Sequence, residues 1–348
     1  MNAQGLGIPL DGAAPRAPIL SVRDLSIVFE GRHGPLTAID GISFDIMPGE
    51  ILGIVGESGA GKSLTGTAVI GLVEPPGRIA GGAIFLEGER IDALPQKRMR
   101  EIRGRRIGAV FQDPLTSLNP LLRIGDQIVE TIITHESVSR RAARARALDL
   151  LKQVGIPAAE NRLDDHPHQF SGGMRQRVVI ALALAARPRL IIADEPTTAL
   201  DVSIQAQITT LLKRLCREQG VAVMLVTHDM GVIAETADRV AVMYAGRIAE
   251  IGKVGEVVRN PLHPYAKGLM AAIPTLEGRV ARLAQIPGAM PRLSAIPKGC
   301  AFNPRCPDVF GRCRSERPAP LAVGADRLAA CWLYDREGAA PSRSEAVS

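Results

Sequence analysis

Ile51-Leu52-Gly53-Ile54-Val55 runs directly into Gly56-Glu57-Ser58-Gly59-Ala60-Gly61-Lys62-Ser63, and few folds satisfy both halves at once. The first half is an unbroken apolar run of strand length, which reads as a strand buried on both faces. The second has the form G-x-x-x-x-G-K-S of a P-loop. Its glycines let backbone N–H groups close around phosphate oxygens, and the helix that follows aims its positive end at the same anion. Lys62 supplies a point charge for the outer phosphates, and the Ser63 hydroxyl a ligand for Mg²⁺.

A second segment complements the first. Leu190-Ile191-Ile192-Ala193 reads as another buried strand, and it ends on Asp194-Glu195. Asp194 is placed to hold Mg²⁺, and Glu195 to accept a proton from attacking water. Further strands are expected at 19–29, 41–46, 82–86, 221–227 and 239–244, with Glu87-Gly88 as a turn. Ile204, Ile208, Leu211 and Leu215 form a helical stripe that stops near Gly220. Strand and helix alternate, so the expected core is an α/β sheet, largely parallel.

From about residue 92 to 188 the character changes to a mostly helical insertion. Arg100, Arg103, Arg105 and Arg106 make its start basic, and Ala143, Ala147, Leu151 and Val154 recur at helical spacing. Near its end, Phe170-Ser171-Gly172-Gly173-Met174-Arg175-Gln176 offers a hydroxyl and open backbone N–H groups at an expected helix start. Taken alone, that is either an anion-binding device or an ordinary helix N-cap.

Together these motifs resemble the ATP-binding subunit of the ABC superfamily, over about residues 19 to 260. The resemblance implies a P-loop NTPase core of RecA-like type, an antiparallel β subdomain and a helical signature subdomain. It implies ATP and Mg²⁺ as cofactors. Gly56, Glu57, Ser58, Gly59, Ala60, Gly61, Lys62 and Ser63 would bind the phosphates, and Phe29 resembles the aromatic that stacks on adenine. Phe29 also suits a core position in its own strand. Glu195, His228 and Gln112 would be catalytic, with His228 as the switch histidine and Gln112 as the Q-loop glutamine. Mg²⁺ would be held by Ser63, Gln112 and Asp194. Ser171, Gly172, Gly173 and Gln176 resemble the signature that closes on the γ-phosphate of a partner subunit, and Asp201 the D-loop at the dimer seam. The implied partners are a second ATPase subunit, identical or paralogous, and two integral membrane permeases. A substrate-binding protein would act indirectly.

Three features resemble the oligopeptide and dipeptide importers in particular. They are the segment 168–177, the run Asp113-Pro114-Leu115-Thr116-Ser117-Leu118-Asn119-Pro120, and the tail with Asn260-Pro261-Leu262-His263-Pro264-Tyr265. That branch also includes nickel and glutathione importers. A soluble ABC ATPase acting on ribosomes or DNA is the alternative, although such proteins commonly carry two cassettes or a long coiled-coil insertion. A binding module without turnover would have no use for Glu195. Exporters usually fuse the membrane domain to the cassette.

The tail adds a small module rich in cysteine and proline. Of the 5 cysteines, Cys216 follows Leu215 on an amphipathic helix and reads as a core residue, whereas Cys300, Cys306, Cys313 and Cys331 cluster near the end. Five, six and seventeen residues separate them in turn, which is wider than the paired spacing of structural zinc. An iron–sulfur cluster tolerates such spacing, and several members of the importer branch carry a [4Fe–4S] cluster at such a tail. Zinc and unligated buried thiols remain the other readings.

Composition bounds the rest. The chain has 348 residues, 46% hydrophobic and 22% charged, with formal net charge +6. No apolar run reaches the roughly 18 residues of a membrane span. No basic patch interleaved with aromatics points to nucleic acid. Residues 1–18 are rich in Gly, Ala and Pro and read as a flexible leader, not a secretory signal. The expected organisation is leader 1–18, ATPase domain 19–255 and cysteine-bearing tail 256–348. The expected location is the cytoplasmic face of the plasma (inner) membrane, held there peripherally through partners.

Overall fold

The computed structural model describes residues 17–31, 34–198, 200–272, 285–324 and 326–335. The leader lies almost wholly outside the described residues, as do Ala199 of the Ala199-Leu200-Asp201 segment and the last residues of the tail.

Among the described residues the chain forms two sheets. The larger has eight strands in the order Leu321–Ala322, Leu328–Ala329, Arg247–Lys253, Arg239–Tyr244, Ile51–Val55, Ala222–Thr227, Leu190–Asp194 and Ile107–Val110. Its five strands from Arg239–Tyr244 to Ile107–Val110 are parallel to one another. Every residue of Ile51–Val55 and of Ala222–Thr227 is buried. Both faces of these strands are covered, which explains why they read as continuous apolar runs without alternation. The smaller sheet is antiparallel, in the order Gly34–Ile46, Leu20–Gly31, Gly77–Leu86 and Glu89–Arg90.

The strands expected from sequence are present, generally longer than read. The turn at Glu87-Gly88 is also found, with both residues at positive φ (50° and 82°). The helix Val202–Gln219 ends on Gly220, whose φ of 65° needs no Cβ. It buries Ile208, Leu211, Leu215 and Cys216, so Cys216 is a core residue as expected.

The region 92–188 departs from its reading in one respect. It contains the helices Gln96–Ile102, Ile124–His135, Arg140–Gln153 and Gly172–Leu184, but also Ile107–Val110, which joins the large sheet beside Leu190–Asp194. That strand is four residues long and flanked by arginines, so its apolar signal is brief. The helices pack together through Ile128, Ile132, Ala143, Ala147, Leu151 and Val178, all at 0% exposure.

The tail is tied to the large sheet by buried charge. Glu250 is wholly buried on Arg247–Lys253. Its carboxylate accepts from Arg327 Nε at 3.0 Å and from the backbone N–H groups of Leu262 and His263 at 2.9 and 2.8 Å. His263 in turn caps the helix Pro264–Ala271 by accepting from the Tyr265 N–H. The Asn260–Tyr265 segment is therefore a docking device for the tail.

Candidate active site

The P-loop turns where a side chain could not follow. Gly61 has φ of 98°, and a Cβ on it would lie 2.4 Å from Ile39 Cδ1. A Cβ on Gly56 would meet the Met243 carbonyl oxygen at 2.2 Å. The loop is thus wedged between the small sheet and the strand Arg239–Tyr244, and the helix Lys62–Val69 leaves from it. Lys62 is 6% exposed. Its Nζ donates back to the carbonyls of Gly56 and Glu57 at 2.9 and 3.1 Å, which parks the charge inside the loop. Burial lowers its pKa, opposed by the charges of Glu195 and Asp194.

Asp194 and Glu195 end the strand Leu190–Asp194 next to this loop. Ser63 Oγ donates to Asp194 Oδ1 at 2.9 Å. Burial raises the Asp194 pKa, and the Glu195 charge adds to the rise. Glu195 sits at φ 48°, a left-handed conformation that costs a non-glycine residue about 1 kcal/mol. Its N–H donates to the Val226 carbonyl at 2.8 Å, which holds the strained turn in place.

Three side chains converge on the Glu195 carboxylate. Gln112 Nε2 donates to Oε2 at 3.0 Å, Thr198 Oγ1 donates to Oε2 at 2.9 Å, and His228 Nδ1 stands 3.2 Å from Oε1. Burial alone would raise the Glu195 pKa, but the bonds from His228 and Thr198 outweigh it and hold the carboxyl below its ordinary value. It is therefore ionised at neutral pH and ready to accept a proton.

Phe29, Ser58, Gly59, Lys62, Ser63, Gln112, Glu195 and His228 line one open cleft, together with Thr198 and Leu293. Most of the residues expected in an ATP site are thus brought together. Phe29 lines the cleft and also packs on the core, where a Cβ on Gly77 would strike its ring at 2.8 Å. Thr198 and Leu293 were not singled out by sequence. Thr198 stands three residues after Glu195, a spacing that could have drawn attention to it. Leu293 carries no local signal.

Ser171, Gly172, Gly173, Gln176 and Asp201 do not line this cleft. Ser171 caps the helix Gly172–Leu184, with its side chain accepting from the Met174 N–H at 3.3 Å. A Cβ on Gly173 would lie 2.6 Å from Ile204 Cγ2, so glycine is required where this helix meets Val202–Gln219. Gln176 is 1% exposed, and its Nε2 has no hydrogen-bond partner among the described residues.

In the tail, Cys300, Cys306, Cys313 and Cys331 line one small cavity with His263, Phe302 and Trp332. All four thiols are free. Burial raises the pKa of Cys300, and pushes Cys306 to about 12 and Cys331 to about 11. Among the described residues no three His, Cys, Asp or Glu side chains are arranged to hold a metal ion. The cavity therefore does not show the closed four-ligand geometry of a structural zinc site.

The chain is similar to known proteins over most of its length. A family model described as "ABC transporter" matches residues 39–198, and one described as "Oligopeptide/dipeptide transporter, C-terminal region" matches 249–313. The chain is 44% identical to the oligopeptide transport ATP-binding protein AppD of Bacillus subtilis, over 93% of this chain and 99% of that protein. It is 47% identical to the oligopeptide protein OppD of Salmonella typhimurium, over 91% and 94% of the two chains. With the dipeptide protein DppD of Escherichia coli the identity is 45%, over 90% and 96%. Among solved structures, a dimeric bacterial ABC transporter cassette superposes with a TM-score of 0.61 at 31% identity, covering 68% of this chain and 98% of that one. A dimeric cassette in a post-hydrolysis state with ADP and Pi superposes equally well at 30% identity, with the same coverage. The chain is an ATPase, and it belongs to the ABC transporter family, among the relatives that carry oligopeptide and dipeptide transport names.

Proposed function

We propose that this chain powers the import of dipeptides or oligopeptides across the cytoplasmic membrane from its inner face. The observation that carries the ATP-driven part of the reading is the convergence of Gln112, Thr198 and His228 on Glu195, beside a P-loop that already holds its lysine inward, and the peptide part is supported by the oligopeptide and dipeptide transport relatives. In this reading Glu195 takes the proton from the attacking water, and His228 and Gln112 orient Glu195 and the γ-phosphate. Lys62 swings from the Gly56 and Glu57 carbonyls to the β- and γ-phosphates. Ser63, Asp194 and Gln112 would hold Mg²⁺, whose charge would offset that of the phosphates. Phe29 stacks on the base.

Ser171, Gly172, Gly173, Gln176 and Asp201 lie away from the chain's own cleft, which suits a role at the site of a second ATPase subunit. Closure of two cassettes would move permeases docked near the Q-loop. Support comes from the surface there: Phe111, Leu115, Leu121 and Leu122 are exposed, Leu121 at 83%. Among the described residues no helix is long and apolar enough to cross a membrane, so attachment runs through such partners. Nickel or glutathione import would use the same cassette and differ in the binding protein and permeases.

We further propose that Cys300, Cys306, Cys313 and Cys331 hold a [4Fe–4S] cluster. What supports it is the shared cavity and the wide sequence spacing. Bound there, the cluster would supply a rigid four-point staple for the tail.

The test is purification from detergent-solubilised membranes, followed by reconstitution with the co-purifying permeases. Peptide uptake driven by ATP, and lost in Glu195→Gln, supports the reading. Sedimentation with ribosomes, without membrane partners, would overturn it.

A further inference from the structure

The tail reaches back to the nucleotide cleft and its P-loop at three points, Leu293, Arg305 and Tyr265, and none belongs to a phosphate-handling motif. At the first, the short turn Leu293–Ala295 brings Leu293 into the wall of the cleft that Phe29 also lines. Met290 lies close by, with its Cε 3.8 Å from where a Cβ on Gly59 would stand.

The second point is Arg305, one residue before Cys306. Its side chain is 7% exposed. Nη1 donates to Glu57 Oε2 at 3.0 Å and to the Tyr244 hydroxyl at 3.3 Å, while Nε donates to the Pro287 carbonyl at 2.8 Å. The guanidinium also lies over the rings of Tyr244 and Phe302, 5.8 Å from each centroid. Glu57 is the second residue of the P-loop. Its N–H donates to the Tyr265 hydroxyl at 2.9 Å, and its carbonyl accepts from Lys62 at 3.1 Å. Glu57 is thus gripped at its side chain by Arg305 and at its N–H by Tyr265, both outside the phosphate-handling motifs.

A loop with glycines at 56, 59 and 61 is costly to order, and any group that orders it in advance raises affinity for its ligand. We propose that the tail is a working part of the nucleotide site: Arg305 positions the P-loop through Glu57, and Leu293 adds an apolar wall for the nucleoside. Arg305 touches neither phosphate-binding N–H groups nor the carboxylate that activates water, so it is a positioning residue. Its loss should weaken nucleotide binding and spare the chemical step. The inference rests on the reading that the cleft at Lys62 binds ATP.

The test is titration of the full chain with a non-hydrolysable Mg–ATP analogue, paired with steady-state ATP hydrolysis. Arg305→Met keeps the stem and removes the fork. Its Kd should rise about tenfold while kcat at saturation stays within about twofold. Leu293→Ser should raise Kd about threefold. In Glu57→Ala, adding Arg305→Met should change Kd by less than about twofold, because the pathway through Glu57 is already gone. Wild-type affinity in Arg305→Met, or fully additive effects in the double variant, overturns the proposal. If Arg305→Met does not fold, Arg305→Lys replaces it. Lysine keeps the charge but cannot reach Glu57, Tyr244 and Pro287 together, so an intermediate Kd is expected and an unchanged one overturns the idea. Lys62→Ala is titrated alongside. If that variant binds normally, it is the ATP-site reading that fails.

Discussion

The phosphate cleft and the cysteine cavity are both assembled from distant parts of the chain, yet they are held in opposite ways. In the cleft each polar group already has a partner within the protein: Lys62 has two carbonyls, Asp194 has Ser63, and Glu195 has Gln112, Thr198 and His228. In the cavity burial raises the pKa of Cys300, Cys306 and Cys331, and backbone hydrogen bonds together with the charges of Arg247 near Cys300 and Lys267 near Cys331 offset it only in part. The difference separates a site that is poised before its ligand arrives from one that needs a ligand, or only packing, to justify its residues.

The sharpest way to break the comparison is Glu195→Gln. The amide fills the same space but cannot take a proton, so hydrolysis should fall about 10²- to 10⁴-fold while binding of the Mg–ATP analogue persists. Turnover within a few-fold of the wild type would mean that the poised carboxylate is not the base.

Next in size is a pH effect in the tail. His263 is buried and its pKa is pushed down to about 4 from the ordinary 6.5. A histidine depressed in the fold binds its proton more readily when unfolded. Its stabilising share is therefore full above about pH 6.5 and lost as pH falls toward 4, a change of about 3 kcal/mol. His263→Asn keeps an acceptor for the Tyr265 N–H but does not titrate. Its melting temperature should fall less steeply across that interval, and parallel curves would remove His263 from the account.

Lys62→Ala should weaken nucleotide binding about 10- to 100-fold by removing the charge that meets the outer phosphates. The same titration measures it. Smallest in effect on catalysis is Cys300→Ser, which should change ATP hydrolysis by only about twofold. It sharpens the comparison through metal content: anaerobically prepared wild type should contain about four irons with matching sulfide per chain, and the variant none. One zinc without iron, or no metal in either protein, would leave the cavity as a packing feature.

How much of this was legible in the sequence follows the same divide. The P-loop and the strand before it are read correctly because glycine requirements and burial on both faces leave local marks at Gly56, Gly61 and Ile51–Val55. Ile107–Val110 is missed because four residues between arginines give too little periodicity to distinguish from the helices around them. Arg247–Lys253 is missed for a related reason: it is an antiparallel strand carrying the buried charge of Glu250, which breaks its apolar pattern. Arg305 and Leu293 are beyond sequence reasoning, since each acts across more than two hundred residues on a partner that shares no local pattern with it.

Glu250 also bears on how such a chain could be shortened or assembled over evolutionary time. A bare cassette ending soon after Lys253 would lose Arg327 and the N–H donors of Leu262 and His263, leaving the Glu250 carboxylate without them wherever it stays shielded from water. Stripping the partner from a buried charge costs about 3–5 kcal/mol, a large part of an ordinary domain's margin. Removal of the tail would become tolerable only after Glu250 itself had changed to an apolar residue. The order of those two steps makes the tail easy to keep and hard to discard, so one internal carboxylate acts as a ratchet on the architecture of its lineage.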